Sequence, residues 1–386
     1  MSLPKITIII SGGNLGGLLA TGDNIVGAAL ACEALAPSGM TLGEAKRYKS
    51  LTAIVADGLD AAYNATAYRQ MKEIYDIRGN AEVWIMPVPN TVVMEDICDK
   101  ANLVPYLLNL IKQSNYAVKV VGICRVPDVG YAATYVAGLD DDVKAAAIKA
   151  QSLCKDLEAL GIPVVVLIEG RDYQGDPDDL LDLKTCDYNY VGIPICGTSD
   201  TDKSASIGLI LGKCAEDPVQ RSPGRVKSGA LPIGAAYTSD GEVINEDDIE
   251  SIHDKGYITI RNFRGRSGFY FSAGPLAAAD TDDFNSIMRR RVINKAVRIA
   301  YDTYTNEIND EIRKVAGKID PAVAKAFQGV LQTQIDGLMT SEGNITRAEI
   351  FVEPEPSGNN KIEITLTLGV IDIAEDIQVT IGFANL

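Results

Sequence analysis

The sequence predicts an α/β fold: a mostly parallel α/β domain, then an α+β C-terminal domain, with terminal strands available for exchange between subunits. Three observations predict it. Between about residues 40 and 215, strand-like and helix-like runs alternate, the signature of β–α–β units. Residues 163–169 (PVVVLIE) are almost all apolar, as a strand covered on both faces should be. The last third instead gathers helices and then alternating strands.

The elements follow in chain order. Ile6, Ile8 and Ile10 alternate as a short strand, and glycines 12, 13, 16 and 17 follow as a flexible link. The stretch 24–35 is mostly apolar and small. Strands are predicted over 81–88 and 117–124, and a helix over 103–113. Asp140, Asp141 and Asp142 suit the N-terminus of a long helix over 141–160. A strand over 189–196 and a small-residue helix over 204–214 close the α/β region, and a Pro/Gly/Ser-rich loop (217–234) separates it from the rest. There follow a helix (245–253), strands (257–261 and 268–272) and a long helix (283–303). Asp320 and Pro321 mark the start of a further helix, whose apolar face is Val323, Phe327, Val330, Leu331, Ile335 and Leu338. The closing strands span 346–353, 361–370 and 375–383; the last alternates Ile377, Val379, Ile381 and Phe383. The domains read as an arm and linker (1–20), an α/β domain (21–216), an α+β domain (217–373) and a terminal strand (374–386).

Composition excludes several function classes. With 36 basic and 52 acidic residues the net charge is −16, opposite to the cationic footprint of a nucleic-acid binder or an anionic-lipid binder. The seven cysteines include no C-x-x-C pair, which argues against structural zinc or a disulfide framework and for a reducing compartment. No run of about 18 apolar residues predicts a membrane span. The first ten residues are too short and β-branched for a signal peptide.

Candidate chemistry is sparse. Gly197-Thr-Ser-Asp-Thr-Asp-Lys203-Ser204 sits between a strand and a helix, as a phosphate-binding loop does. Yet Asp202 replaces the second glycine, and with Asp200 it would repel a phosphate. Asp176, Asp178, Asp179 and Asp182 lack calcium-loop spacing. The single histidine, His253, reads as a helix-end residue. No catalytic, cofactor or metal set emerges. Arg289, Arg290, Arg291, Lys295 and Arg298 make one helix strongly basic in an acidic chain. Two readings stay open: a solvated face or pairing with the chain's own acidic surplus, or a charged contact with another subunit or a tube.

The segment 256–274 (GYITIRNFRGRSGFYFSAG) resembles the contractile tail sheath family of phage tails and injection particles. The resemblance rests on Ile260–Arg261, Gly265, Gly268, Phe269–Phe271 and then Arg289–Arg291, in that order. Residues 191–196, 204–208 and 229–232 precede them in the family's order, and 348–352, 359–360, 362–370 and 374–377 follow. It covers about 185–386. The loop 215–229 lacks the aspartate–glycine–tryptophan phrase of many sheaths, marking a divergent branch.

The resemblance implies a structural subunit without cofactor or chemical step. Such subunits polymerise into a helical tube around an inner tail tube and contract to drive it through a target envelope. It implies partners: further copies of the chain, the tube protein, and baseplate and tail terminator proteins, with no nucleic acid and no membrane insertion. It implies assembly in the bacterial cytoplasm into a tail or injection particle. It also implies that Ile6, Ile8, Ile10, Ile377, Val379, Ile381 and Phe383 lie in strands lent to neighbours. An α/β phosphohydrolase using Lys203 and Ser204, and a non-contractile tail protein, are the alternatives.

Overall fold

The computed structural model describes residues 22–33, 35, 39–305, 307–309, 311–315, 317–354, 361–374 and 378. The predicted strands at Ile6–Ile10 and Ile377–Phe383 therefore lie outside the described residues. The α/β region runs β1 (Val26–Cys32), β2 (Lys46–Tyr48), α1 (Leu51–Ala56), α2 (Ala65–Ile77), β3 (Val83–Pro89), α3 (Met94–Cys98), α4 (Tyr106–Gln113), β4 (Val120–Cys124), α5 (Asp141–Ala159), β5 (Val165–Ile168), β6 (Val191–Gly192) and α6 (Ile207–Glu216). Its six-stranded sheet has the order β2-β3-β1-β4-β5-β6. Only the β2–β3 pair is antiparallel.

Helices cover both faces of this sheet, and two glycines prove it. Ala28 of β1 registers with Gly122 of β4, and Gly27 with Val121, so Gly27 and Gly122 face opposite sides. A Cβ at Gly27 would meet Leu110 of α4 at 3.3 Å, whereas one at Gly122 would meet Ile207 of α6 at 2.0 Å. Every residue of β1 is buried. Its small side chains (VGAALAC) let the helices approach, and burial on both faces removes any polar alternation. Gly122→Ala is expected to destabilise the chain by about 1–3 kcal/mol through overpacking against Ile207. A denaturation midpoint equal to wild type would contradict that packing.

The predicted strand 189–196 is split at Pro194, which has no N–H for a ladder. Val191–Gly192 joins the main sheet, and Cys196–Gly197 pairs with Tyr237–Thr238. The long helix α5 begins where Asp140 caps it, accepting from the Asp142 N–H at 3.2 Å. Helix α6 starts at Ile207, three residues later than predicted, because 198–206 forms a hydrogen-bonded loop.

The C-terminal part comprises α7 (Glu246–Asp254), the hairpin β7 (Ile260–Phe263) and β8 (Arg266–Phe271), α8 (Ile287–Thr305), α9 (Pro321–Ile335), and β9 (Arg347–Val352) paired antiparallel with β10 (Ile364–Gly369). Asp320 caps α9, accepting from Ala322 N–H at 2.9 Å, with Pro321 in the first turn. Of the apolar face predicted for α9, Leu331 and Ile335 are buried, while Val330 is exposed. Two apolar cores result. The larger surrounds the parallel sheet and reaches the β7–β8 hairpin through Ile260 and Phe271. The smaller joins α8 (Val292, Ala296, Ile299), α9 (Leu331, Ile335) and one face of β9–β10 (Ile350, Leu366, Leu368).

Candidate functional site

Open parallel sheets bind ligands outside the carboxyl ends of their strands, where strand order reverses. In this chain that edge is filled by the chain's own charges. Arg125, which follows β4, is buried and pairs with buried Asp142 at 3.0 Å. Asp142 also accepts from the Met94 and Glu95 N–H groups, at 2.8 Å each, holding α3 against α5. The Arg125 guanidinium lies 3.9 Å from the Tyr131 ring centroid. Glu169, after β5, is fully buried and accepts from the Arg125 N–H; burial pushes its carboxyl up to about 7, with Arg171 opposing.

The phosphate-loop lookalike belongs to the same network. Arg69 of α2 donates to Asp202 at 2.8 Å, to Glu73 at 3.2 Å and to Ser204. Asp202 also accepts from Thr66 at 2.8 Å, and Lys203 pairs with Asp172 at 2.6 Å. Lys203 and the Asp202 carboxylate are thus engaged with protein groups, and Lys203 stands at φ +54°. The Lys203 side chain is half exposed, so Lys203→Ala is expected to cost at most about 1 kcal/mol and to leave assembly unchanged. Loss of measurable ATP binding in that variant would contradict this reading.

The other sequence candidates have structural partners. Asp176 and Asp182 cap short turns, accepting from Asp178 and Lys184 N–H groups. His253 ends α7 with Nδ1 3.2 Å from Ser272 Oγ, and burial lowers its pKa. All seven cysteines are free, six of them buried. Among the described residues no His/Cys/Asp/Glu group could hold a metal ion, and no helix is long and apolar enough to cross a membrane.

The five basic residues of α8 divide into one that faces outward and four engaged within the chain. Arg289 pairs with Asp372 at 2.9 Å, its own side chain 35% exposed and that of Asp372 67%. Arg290 is 1% exposed; it pairs with Glu158 at 3.0 Å and lies 3.3 Å above the Tyr190 ring centroid. Burial lowers its pKa to about 10, with Glu158 opposing. Arg291 donates to the Cys214 carbonyl at 2.7 Å and to the Asp217 carbonyl, satisfying orphan acceptors at the end of α6. Lys295 bridges Asp23 (2.6 Å) and Glu342 (2.7 Å). Arg298 donates to the carbonyls of Tyr116, Val118 and Pro163, at 2.7, 3.1 and 2.9 Å, clamping the entries to β4 and β5. Helix α8 thereby ties the C-terminal core to the α/β sheet.

The β9–β10 ribbon is the other candidate surface. Ile350, Val352, Leu366 and Leu368 face inward, while Phe351 is more than half exposed on the opposite face. Among the described residues no third strand pairs with this ribbon. A two-stranded sheet is marginal alone and is stabilised by a further strand or a packed element.

Comparison with known proteins places this architecture. The DUF2586 N-terminal domain model matches residues 3–275, and the DUF2586 C-terminal domain model matches residues 283–386. No curated protein matches. Among solved structures, the chain is similar to a chain of the anti-feeding prophage baseplate, with TM-score 0.62, 14% identity and 100% of both chains covered. It is similar to a chain of the contracted PVC sheath complex of an extracellular contractile injection system, with TM-score 0.62, 12% identity, and 99% of this chain and 98% of that one covered. A sheath tail protein from Listeria innocua gives TM-score 0.52 at 10% identity, covering 92% of this chain and 96% of that one.

Proposed function

The chain belongs to the DUF2586 family and has the fold of contractile-tail sheath proteins, and from that premise we propose that it is a sheath subunit. It polymerises into a helical tube around an inner tail tube and contracts to drive that tube through a target envelope. The observation that carries the reading is coverage: the similarity spans 100% of this chain and 100% of the baseplate chain, both cores included. A shared sheet alone would be weaker, because α/β sheets host many functions.

The assembly mechanism uses the two chain ends. The strand around Ile6, Ile8 and Ile10 and the strand Ile377–Phe383 add to sheets of neighbouring subunits, giving main-chain ladders with alternate side chains buried. The β9–β10 ribbon, which has two strands among the described residues, supports this as a receiving site. Strand links of this kind let subunits rotate during contraction without separating. On α8, Arg289 is the residue whose charge is offered outward to a neighbour or to the tube. The partners are further copies of the chain, the tube protein, and baseplate and terminator proteins, assembled in the bacterial cytoplasm.

Electron microscopy of the purified full chain, alone and mixed with its tube protein, tests the proposal. Wide-bore helical tubes are expected. Dispersed single particles under both conditions, at concentrations where related sheaths polymerise, would overturn it.

A further inference from the structure

A small cavity lies where α8 meets the start of β4 and the segment preceding β1. Its volume is about 20 Å³, and Asp23, Lys119, Arg291, Asn294, Lys295 and Arg298 line it. That is room for one water-sized or halide-sized occupant.

The lining has a surplus of donors. Asn294 is 5% exposed, and neither its side-chain nitrogen nor its oxygen has a partner. The Nε–H groups of Arg291 and Arg298 are also buried and unpartnered. The Lys119 ammonium has no hydrogen-bond partner among the described residues, though Asp23 and Asp302 act on it through space. Buried polar groups in native proteins are satisfied, so a set of orphans around one cavity signals an occupant.

The charge balance says what kind. Lys295 is matched by Asp23 and Glu342. Arg291 and Arg298 give their hydrogen bonds to neutral carbonyls, with an acceptor amide at Asn24 for Arg291, while Asp302 and Asp23 act on Arg298 through space. The four cations Lys119, Arg291, Lys295 and Arg298 thus face three carboxylates, Asp23, Glu342 and Asp302. Unpaired cations this close are costly unless a negative charge offsets them. A water could accept from the donors and donate to Asn294 Oδ1, but it carries no charge to offset the surplus cation.

We propose that this cavity binds a small inorganic anion, chloride being the form that fits, held by Lys119, Arg291, Asn294 and Arg298. The site joins α8 to the described residues that precede β1, so its occupant stiffens that joint. Burial and the neighbouring Arg298 already lower the Lys119 pKa to about 7, and a bound anion would raise it. The inference does not depend on the sheath reading.

The test compares thermal midpoints of the full chain in sodium chloride, sodium bromide and sodium gluconate at equal ionic strength, gluconate being too large to enter. The wild type is expected to melt about 2–4 °C higher in the two halides. Asn294→Asp supplies a fixed negative charge, so its midpoint should be the same in all three salts. Asn294→Leu, which removes the amide donor, should also lose the halide response. Equal wild-type midpoints would overturn the proposal and leave a water in the cavity. So would a halide effect that persists in full in both variants, since that is a general salt effect.

Discussion

Reversing the charge at Arg290 or Arg291 is expected to destabilise the isolated subunit by about 3–5 kcal/mol, the range for leaving an uncompensated charge buried. Arg290→Glu would set a second carboxylate against Glu158, replacing a 3.0 Å ion pair with repulsion, and would remove the cation from above Tyr190. Arg291→Glu would turn a carboxylate toward the Cys214 and Asp217 carbonyls, which would then lack a donor at the end of α6. Arg289→Glu should change stability by no more than about 1 kcal/mol, because Asp372 is mostly exposed and Arg289 partly so, leaving the pair screened by solvent. Urea denaturation of the three monomeric variants checks this, and equal midpoints would remove the distinction. Arg289→Glu is then the informative variant for assembly: it keeps a folded subunit. The fraction of contracted particles and its dependence on ionic strength should shift in that variant.

This division was only half legible in the sequence. Arg289, Arg290, Arg291, Lys295 and Arg298 stand out as a basic helix, and intramolecular pairing was one of two readings. Which member pairs with what depends on residues more than 40 positions away in sequence, such as Glu158 for Arg290 and Glu342 for Lys295. Local spacing cannot show that Arg291 caps the far end of α6 or that Arg298 clamps two strand entries.

The fold was more legible where a segment carries its own signal. The Asp140 cap before α5, the Asp320–Pro321 start of α9 and the apolar run of β5 follow from side-chain chemistry within a few residues. Helix α2 is harder to see, because its buried face carries Gln70 and Glu73 among the apolar residues. The reason is packing against α6: Gln70 donates to the Ala205 carbonyl and accepts from the Gly208 N–H at 2.7 Å. A Cβ at Gly208 would come within 2.1 Å of the Gln70 carbonyl oxygen, so the two helices meet backbone to backbone. Strand β1 was equally hidden, since small residues buried on both faces leave no period to read.

Removing residues 375–386 is expected to leave a folded, soluble subunit and to abolish tubes. For the first half, the described members of the two cores lie between Val26 and Leu368, and the proposed exchange assigns the terminal segment to a neighbour rather than to either core. The second half rests on the proposed strand exchange. Ile377, Val379, Ile381 and Phe383 recur at every second position, so one face of the strand is apolar and suited to burial on a neighbour. Each such side chain contributes about 1.5–3 kcal/mol when fully buried, and the main-chain ladder adds to it. No single surface ion pair on α8 approaches that sum. The deletion should therefore shift the chain from tubes to monomers in sedimentation, with an unchanged far-ultraviolet circular dichroism spectrum. Val379→Asp with Ile381→Asp should act in the same direction, since charges on the apolar face oppose burial while the main chain stays intact. An insoluble truncated chain would assign the strand to its own subunit's core. Tubes formed by both variants would show that assembly does not use this strand.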